Sequence, residues 1–244
     1  MKLRGKVAVV TGGAKRIGRR IALALASEGC HVAITYRSSE KEALQTVSMI
    51  RGRKVKGMAV RVDQRDKEEV EEAVGSILRS FKRVDILVNN ASSFYPTPFG
   101  RVSGRSWDDL LQANLEGPWW FSQALGPLMK RRGAGKIVNI IDVSVFSPWK
   151  EYLPYSVAKG GLLTLTRGLA KVLAPEVQVN AIAPGPILLP PSVSRKEKEA
   201  AIRRTLLKRC GTPDDIAQAV LFFVQGSDFV TGVLLPVDGG RLLA

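Results

Sequence analysis

The residues best suited to chemistry are Tyr155 and Lys159, four apart in Tyr155-Ser-Val-Ala-Lys159. On a helix that spacing puts both on one face. A cation beside a phenol favours the phenolate and draws the tyrosine pKa down from about 10, which makes the hydroxyl a usable proton donor. Asp142 stands thirteen residues upstream, at the end of an apolar run. A carboxylate beside a carbonyl oxygen repels the negative charge that develops there. A buried carboxylic acid with a raised pKa instead supplies a proton to a ring nitrogen. Alone, Tyr-x-x-x-Lys is a common accident of helices. It carries meaning only in a chain that also builds a dinucleotide site.

The elements that must position these groups alternate. Lys6–Thr11 reads as a short buried strand, followed by Gly12-Gly13-Ala-Lys-Arg16-Ile17-Gly18, a helical pattern stopping at Gly29, and a second strand over His31–Tyr36. This is a βαβ unit with a glycine turn. Glycines there let the backbone approach a pyrophosphate, and the helix N-terminus supplies amide donors. The second strand ends in Tyr36-Arg37-Ser38-Ser39. An acid at this point would select NAD; the Arg37 fork, with Arg16 in the adjoining turn, selects the 2′-phosphate of NADP. Asp63 is read either as an acceptor for the adenine amine or as a helix N-cap.

The alternation continues with helices over Ser39–Arg51 and Lys67–Phe81 and strands over Gly57–Val62 and Asp85–Asn89. Helical stretches follow near Trp107–Asn114 and Gly117–Lys130, then over Tyr155–Leu173 and Asp214–Val224, with strands over Lys136–Ile141, Val177–Ile182 and Val233–Val237. The pattern predicts one α/β domain across residues 1–244, a doubly wound Rossmann-type sheet with helices on both faces. The proline-rich run Pro184–Ser194 follows a strand, where such sheets bind ligands. It is the candidate substrate loop, extending to about residue 209, with Arg195–Arg209 a short helix behind it.

Composition excludes other classes. The chain has 244 residues and two isolated cysteines, Cys30 and Cys210, which match no zinc or redox spacing and imply a reduced, cytoplasmic setting. His31 is the single histidine, so neither histidine catalysis nor a metal site is expected. No signal peptide or membrane span is read. The net charge of +15 attracts anions in general. Its scattered distribution, without interleaved aromatics, speaks against nucleic acid as a partner.

Thr11-Gly12…Ile17-Gly18, Asp63, Asn89-Asn90-Ala91, Asn114, Tyr155-x-x-x-Lys159, Asn180, Pro184-Gly185 and Val237-Asp238-Gly239-Gly240 together resemble the short-chain dehydrogenase/reductase family nearly end to end. The resemblance implies seven parallel strands in the order 3-2-1-4-5-6-7, hydride transfer from a nicotinamide, and a homotetramer packed through the helices near 117–130 and 155–173. It implies that Tyr155 donates a proton, that Lys159 holds the nicotinamide ribose, and that Asn114 holds a water in the proton path. It assigns to NADPH the residues Gly12, Arg16, Ile17, Gly18, Tyr36, Arg37, Ser38, Asp63, Asn90, Ala91, Ser92, Tyr155, Lys159, Pro184, Gly185 and Ile187.

Two departures bear on substrate. Most members of the family place a serine where Asp142 stands; if Asp142 is idle, Ser144 takes that role. Glycine usually follows Asn89-Asn90-Ala91, but here Ser92-Ser93-Phe94-Tyr95-Pro96-Thr97-Pro98 follows. That loop, the glycine turn, Tyr36-Arg37-Ser38 and Asp142 are similar to the pteridine reductases. In that subfamily Phe94 would stack on a pterin, which Asp142 and Tyr155 would reach. The reading is an NADPH-dependent pteridine reductase acting on a small pterin or folate substrate. The alternatives are a 3-oxoacyl-acyl-carrier-protein reductase or other ketone reductase and, more remotely, a non-catalytic NADP-binding regulator.

Overall fold

The computed structural model describes residues 1–189 and 194–244; residues 190–193 of the expected substrate loop lie outside the described residues. The chain runs β1 (Val7–Val10), α1 (Arg16–Ser27), β2 (His31–Tyr36), α2 (Glu40–Arg51), β3 (Gly57–Arg61), α3 (Lys67–Phe81) and β4 (Ile86–Asn89). It continues α4 (Gly104–Leu111), α5 (Gly117–Arg131), β5 (Gly135–Ile140), α6 (Leu153–Leu173), β6 (Val177–Pro184), α7 (Arg195–Arg203), α8 (Pro213–Gln225) and β7 (Leu234–Val237). The seven strands form one parallel sheet in the order β3-β2-β1-β4-β5-β6-β7. Because the crossovers cover both faces, the central strands β1, β4 and β5 are buried throughout, and β1 is apolar along its whole length.

Two apolar layers sandwich the sheet. Residues of α1, α2 and α8 fill one side, including Ile21, Leu25, Ile50 and Val220. Residues of α3, α5 and α6 fill the other, including Val70, Ile77, Phe121, Leu125 and Leu173. The strand order reverses between β1 and β4, which opens a crevice at the strand C-termini.

Three local features differ from the sequence reading. The two helices expected near 107–130 are joined by a π-helical turn, Gln112–Glu116, which carries Asn114. Such turns insert a residue into a helix and re-aim its side chain. Asp63 caps no helix; Asp66 does, accepting from the Glu69 amide. The helix expected to reach residue 209 ends at Arg203, and Lys208 beyond it adopts a left-handed φ of 51°.

A buried polar thread ties α6 to the sheet. Asn89 Nδ2 donates to Asn139 Oδ1 at 2.8 Å, and Asn139 Nδ2 donates to Thr166 Oγ1 at 2.9 Å. Thr166 Oγ1 donates in turn to Leu162 O at 2.8 Å. Asn139 and Thr166 are satisfied within the thread, which offsets the desolvation cost of burying them, while Asn89 Oδ1 is buried without a partner.

Candidate active site

Two adjoining cavities of about 430 and 410 Å³ open at the strand C-termini. The first is lined by the glycine turn (Gly12, Arg16, Ile17, Gly18), by the end of β2 (Tyr36, Arg37, Ser38), by Asp63, and by Asn90, Ala91 and Ser92 after β4. The second holds Phe94, Asp142, Tyr155, Lys159, Pro184, Gly185 and Ile187. Arg16, Ile17, Asn90 and Ser92 face both, so the two cavities form one continuous trough. Asn114 faces neither.

The backbone of the first cavity fits a dinucleotide. Gly12 has a φ of 62°, and a Cβ on it would lie 2.9 Å from the Ala91 Cα. A Cβ on Gly18 would lie 2.3 Å from Gly12 O. Only glycine permits this close approach. The first turn of α1 carries no acid and no side-chain cap, so its amides are available to an anion. Thr11 Oγ1 fixes the opposite wall by accepting from the Asn90 and Ala91 amides, both at 2.9 Å. Arg16 sits at a φ of 54°, where a side chain costs about 1 kcal/mol that glycine avoids. Its Nη2 donates to Leu188 O at 2.7 Å. In this structure Arg16 therefore reaches the loop after β6, while Arg37 faces the cavity from the end of β2.

At the acid end of the trough, the Tyr155 hydroxyl donates to Asp142 Oδ2 at 3.3 Å. Asp142 Oδ1 accepts from the Ser144 amide at 2.7 Å, capping the short turn Val143–Val145. Serine is an equally good cap, so capping alone does not call for an aspartate. Asp142 is half-buried and lines the cavity; Ser144 is fully buried and does not line it. Lys159 is buried, donates to Ile140 O at 2.9 Å and stands 5.7 Å from the centre of the Tyr155 ring.

The electrostatics differ from the sequence reading in one respect. Burial raises the Asp142 carboxyl above the usual carboxylate range. Burial also raises Tyr155 well above the ordinary phenol value, and the neighbouring Asp142 carboxylate adds to the rise. The expectation that Lys159 draws the tyrosine down is thus reversed: desolvation and a like charge at hydrogen-bond distance outweigh the cation. Burial depresses Lys159 itself to about 8. Both acids hold their protons more tightly than free side chains would.

Asn114 is completely buried and bonded within the chain. Its Nδ2 donates to Leu110 O and Ser93 O, both at 2.9 Å, and its Oδ1 accepts from Ser92 Oγ at 2.5 Å. It anchors the loop that carries Ser92 and Phe94. Asp63 is held by Arg65, which also bridges to Asp109. That guanidinium lowers the Asp63 carboxyl.

Sequence reading assigned no role to Trp149, Tyr152 or Gln64. Phe94 stacks on Tyr152 with centroids 4.5 Å apart and planes 3° from parallel, and meets Trp149 edge-on at 5.9 Å. The three rings and Tyr155 make an aromatic wall. Gln64 Nε2 donates to Ala91 O at 3.2 Å and to Ala113 O at 2.5 Å, tying the cofactor wall to the π turn. The aromatics lay in a stretch already marked as chemical, but a contact across some fifty residues leaves no local pattern.

Among the described residues no cluster of His, Cys, Asp or Glu could hold a metal ion, and no helix is long and apolar enough to cross a membrane.

Comparison with known proteins agrees with this geometry. A family model described as enoyl-(acyl carrier protein) reductase matches residues 12–241. The 3-oxoacyl-acyl-carrier-protein reductase of Staphylococcus epidermidis is 34% identical, over 98% of this chain and 99% of that protein. The enzyme of the same name from Aquifex aeolicus is 36% identical over 98% of each chain. A blue fluorescent protein from a metagenomic library, solved in complex with NADPH, superposes with a TM-score of 0.92 at 33% identity, covering 99% of each chain. An NAD+-bound xylitol dehydrogenase superposes with a TM-score of 0.91 at 27% identity, covering 98% of this chain and 100% of that one. The names of the curated relatives favour the ketone-reducing alternative over the pteridine reading. The strand order, the glycine cradle and the Tyr155–Lys159 pair, with these matches across the whole fold, place the chain in the short-chain dehydrogenase/reductase family of oxidoreductases.

Proposed function

We propose that this chain is an NADPH-dependent reductase of a pteridine, a flat nitrogen heterocycle of the dihydropterin or dihydrofolate type. The observation that carries the reading is the half-buried carboxyl of Asp142, 3.3 Å from the Tyr155 hydroxyl and facing the cavity. Overall likeness at 34–36% identity reports the scaffold; substrate choice lives in the few side chains at the site. An acid that holds its proton donates to a basic ring nitrogen. Its ionised carboxylate form does not suit a carbonyl oxygen that gathers negative charge.

NADPH, when bound, supplies the hydride to a ring carbon of a C=N bond. Arg37, with Ser38, receives the 2′-phosphate, and the Gly12–Gly18 cradle receives the pyrophosphate. Phe94, Tyr152 and Trp149 offer flat apolar surface to the ring. Tyr155 gives its proton to the nitrogen, and Asp142, coupled to it, shares the remaining proton. The Lys159 ammonium balances the charge left behind. We place Asn114 as a positioning residue for the Ser92–Phe94 loop. The assembly is a homotetramer through α5 and α6, where Leu153, Val157 and Val172 leave apolar surface exposed.

A second reading, 3-oxoacyl-acyl-carrier-protein reductase, is favoured by the curated relatives. It requires ketone reduction without the serine hydroxyl, because Ser144 does not reach the cavity. NADPH oxidation with dihydrobiopterin and with an acetoacetyl thioester separates the two. The pteridine reading expects turnover with the pterin; turnover confined to the thioester overturns it.

A further inference from the structure

Arg241 is one of the two arginines that line the substrate cavity. How the chain delivers this side chain is visible. After β7, Gly239 and Gly240 both take left-handed φ angles, 65° and 77°, and fold the chain back. Asp238 locks the turn: its Oδ1 accepts from the Gly240 amide and its Oδ2 from the Leu242 amide, each at 2.9 Å. The turn is pressed against the substrate loop, since a Cβ on Gly185 would lie 2.6 Å from the Asp238 Cα. Arg241 thus lines the same cavity as Phe94, Tyr152 and Ile187.

Among the described residues Arg241 has no ion-pair partner, and Asp238, the nearest acid in sequence, has both carboxylate oxygens engaged by backbone amides. The other arginine lining this cavity, Arg16, is bound to the Leu188 carbonyl. The lining therefore combines the Asp142–Tyr155 acid pair, an aromatic wall and a guanidinium with no ion-pair partner among the described residues. A guanidinium in a partly enclosed site recognises a carboxylate through charge-assisted bonds.

We infer that Arg241 is a specificity-determining residue that binds an anionic tail on the substrate, and that the preferred substrate is a heterocycle bearing a carboxylate-terminated side chain. The inference rests on the pteridine reading and narrows it to folate-like members.

The test compares dihydrofolate, which carries a glutamate tail, with dihydrobiopterin, which carries none, on NADPH-loaded wild type, Arg241→Ala and Arg241→Lys. In Arg241→Ala the ratio of the dihydrofolate KM to the dihydrobiopterin KM rises about tenfold or more, as loss of a hydrogen bond to a charged group predicts. The kcat for dihydrofolate falls much less, and Arg241→Lys recovers part of the ratio. In wild type, raising the salt concentration weakens dihydrofolate more than dihydrobiopterin. Turnover of both substrates with an unchanged KM ratio overturns the tail assignment alone. Turnover of neither overturns the pteridine reading and this assignment with it.

Discussion

Two strands of the sheet deliver an aspartate to the same rim, and the two acids behave in opposite ways. Asp63 follows β3 in a half-open site, where Arg65 grips it and lowers its carboxyl. Asp142 follows β5 beside the buried Tyr155 and Lys159, where burial raises it and no guanidinium bonds it among the described residues. Identical chemistry is thus tuned by burial and partner: Arg65 holds the Asp63 carboxyl down, and desolvation pushes the Asp142 carboxyl up. The Asp63 end suits a cofactor to be held. The Asp142 end suits a substrate to be protonated.

The sharpest way to break this contrast is at the Asp142 end. Replacing Tyr155 by Phe removes the donor, and kcat for reduction should fall by about 10²–10⁴. Asp142→Ser should cost about 10–10² with a C=N substrate, in steady-state NADPH oxidation. By contrast, Asp63→Asn should act mainly through the cofactor KM. Equal effects of Asp142→Ser and Asp63→Asn on kcat would erase the distinction between the two ends.

Next in size is a stability effect. Burial depresses Lys159 from 10.5 to about 8, a cost of roughly 3 kcal/mol to the folded state while the ammonium is charged. The folded chain binds fewer protons than the unfolded chain between these two values. Wild-type stability should therefore rise with pH across that window. Lys159→Met should be more stable than wild type below pH 8 by up to that amount, with the gain vanishing above 10.5. Urea melts at pH 7 and pH 10 check the sign; a destabilised variant at both would show that the bond to Ile140 O outweighs the buried charge.

A smaller effect concerns rate. The lysine cation is lost above about pH 8, and kcat should decline as pH rises through that value, severalfold by one unit beyond. A flat profile to pH 9.5 would make the ammonium dispensable. Smallest is the Asp63 end, where Arg65→Met should lower stability by at most about 1 kcal/mol, because the ion pair is partly exposed.

The fold was legible because its signals are local. Lys67–Phe81 shows a clean helical period with an acid-rich first turn, and the apolar runs of the inner strands are set by burial on both faces. The glycine turn was legible because only one residue type tolerates its geometry. What escaped depends on distance in sequence. The Tyr155 shift was misread because Lys159 was seen four residues away while the enclosure around both was not. The direction of Arg16 depended on Leu188, and the partners of Phe94 on Trp149 and Tyr152, none of them marked by spacing. Asp63 looked like a cap because aspartates after strands often are. Arg65 and the distant Asp109 claimed it first.

The row of side-chain amides and a hydroxyl joining β4, β5 and α6 acts as a register pin for the helix that bears Tyr155. Sliding that helix by one turn would move Thr166 about 5.4 Å from Asn139 and strand polar groups in a dry interior. Lateral creep is thereby forbidden. The Tyr155 hydroxyl is thus held at a fixed height above the strand tips.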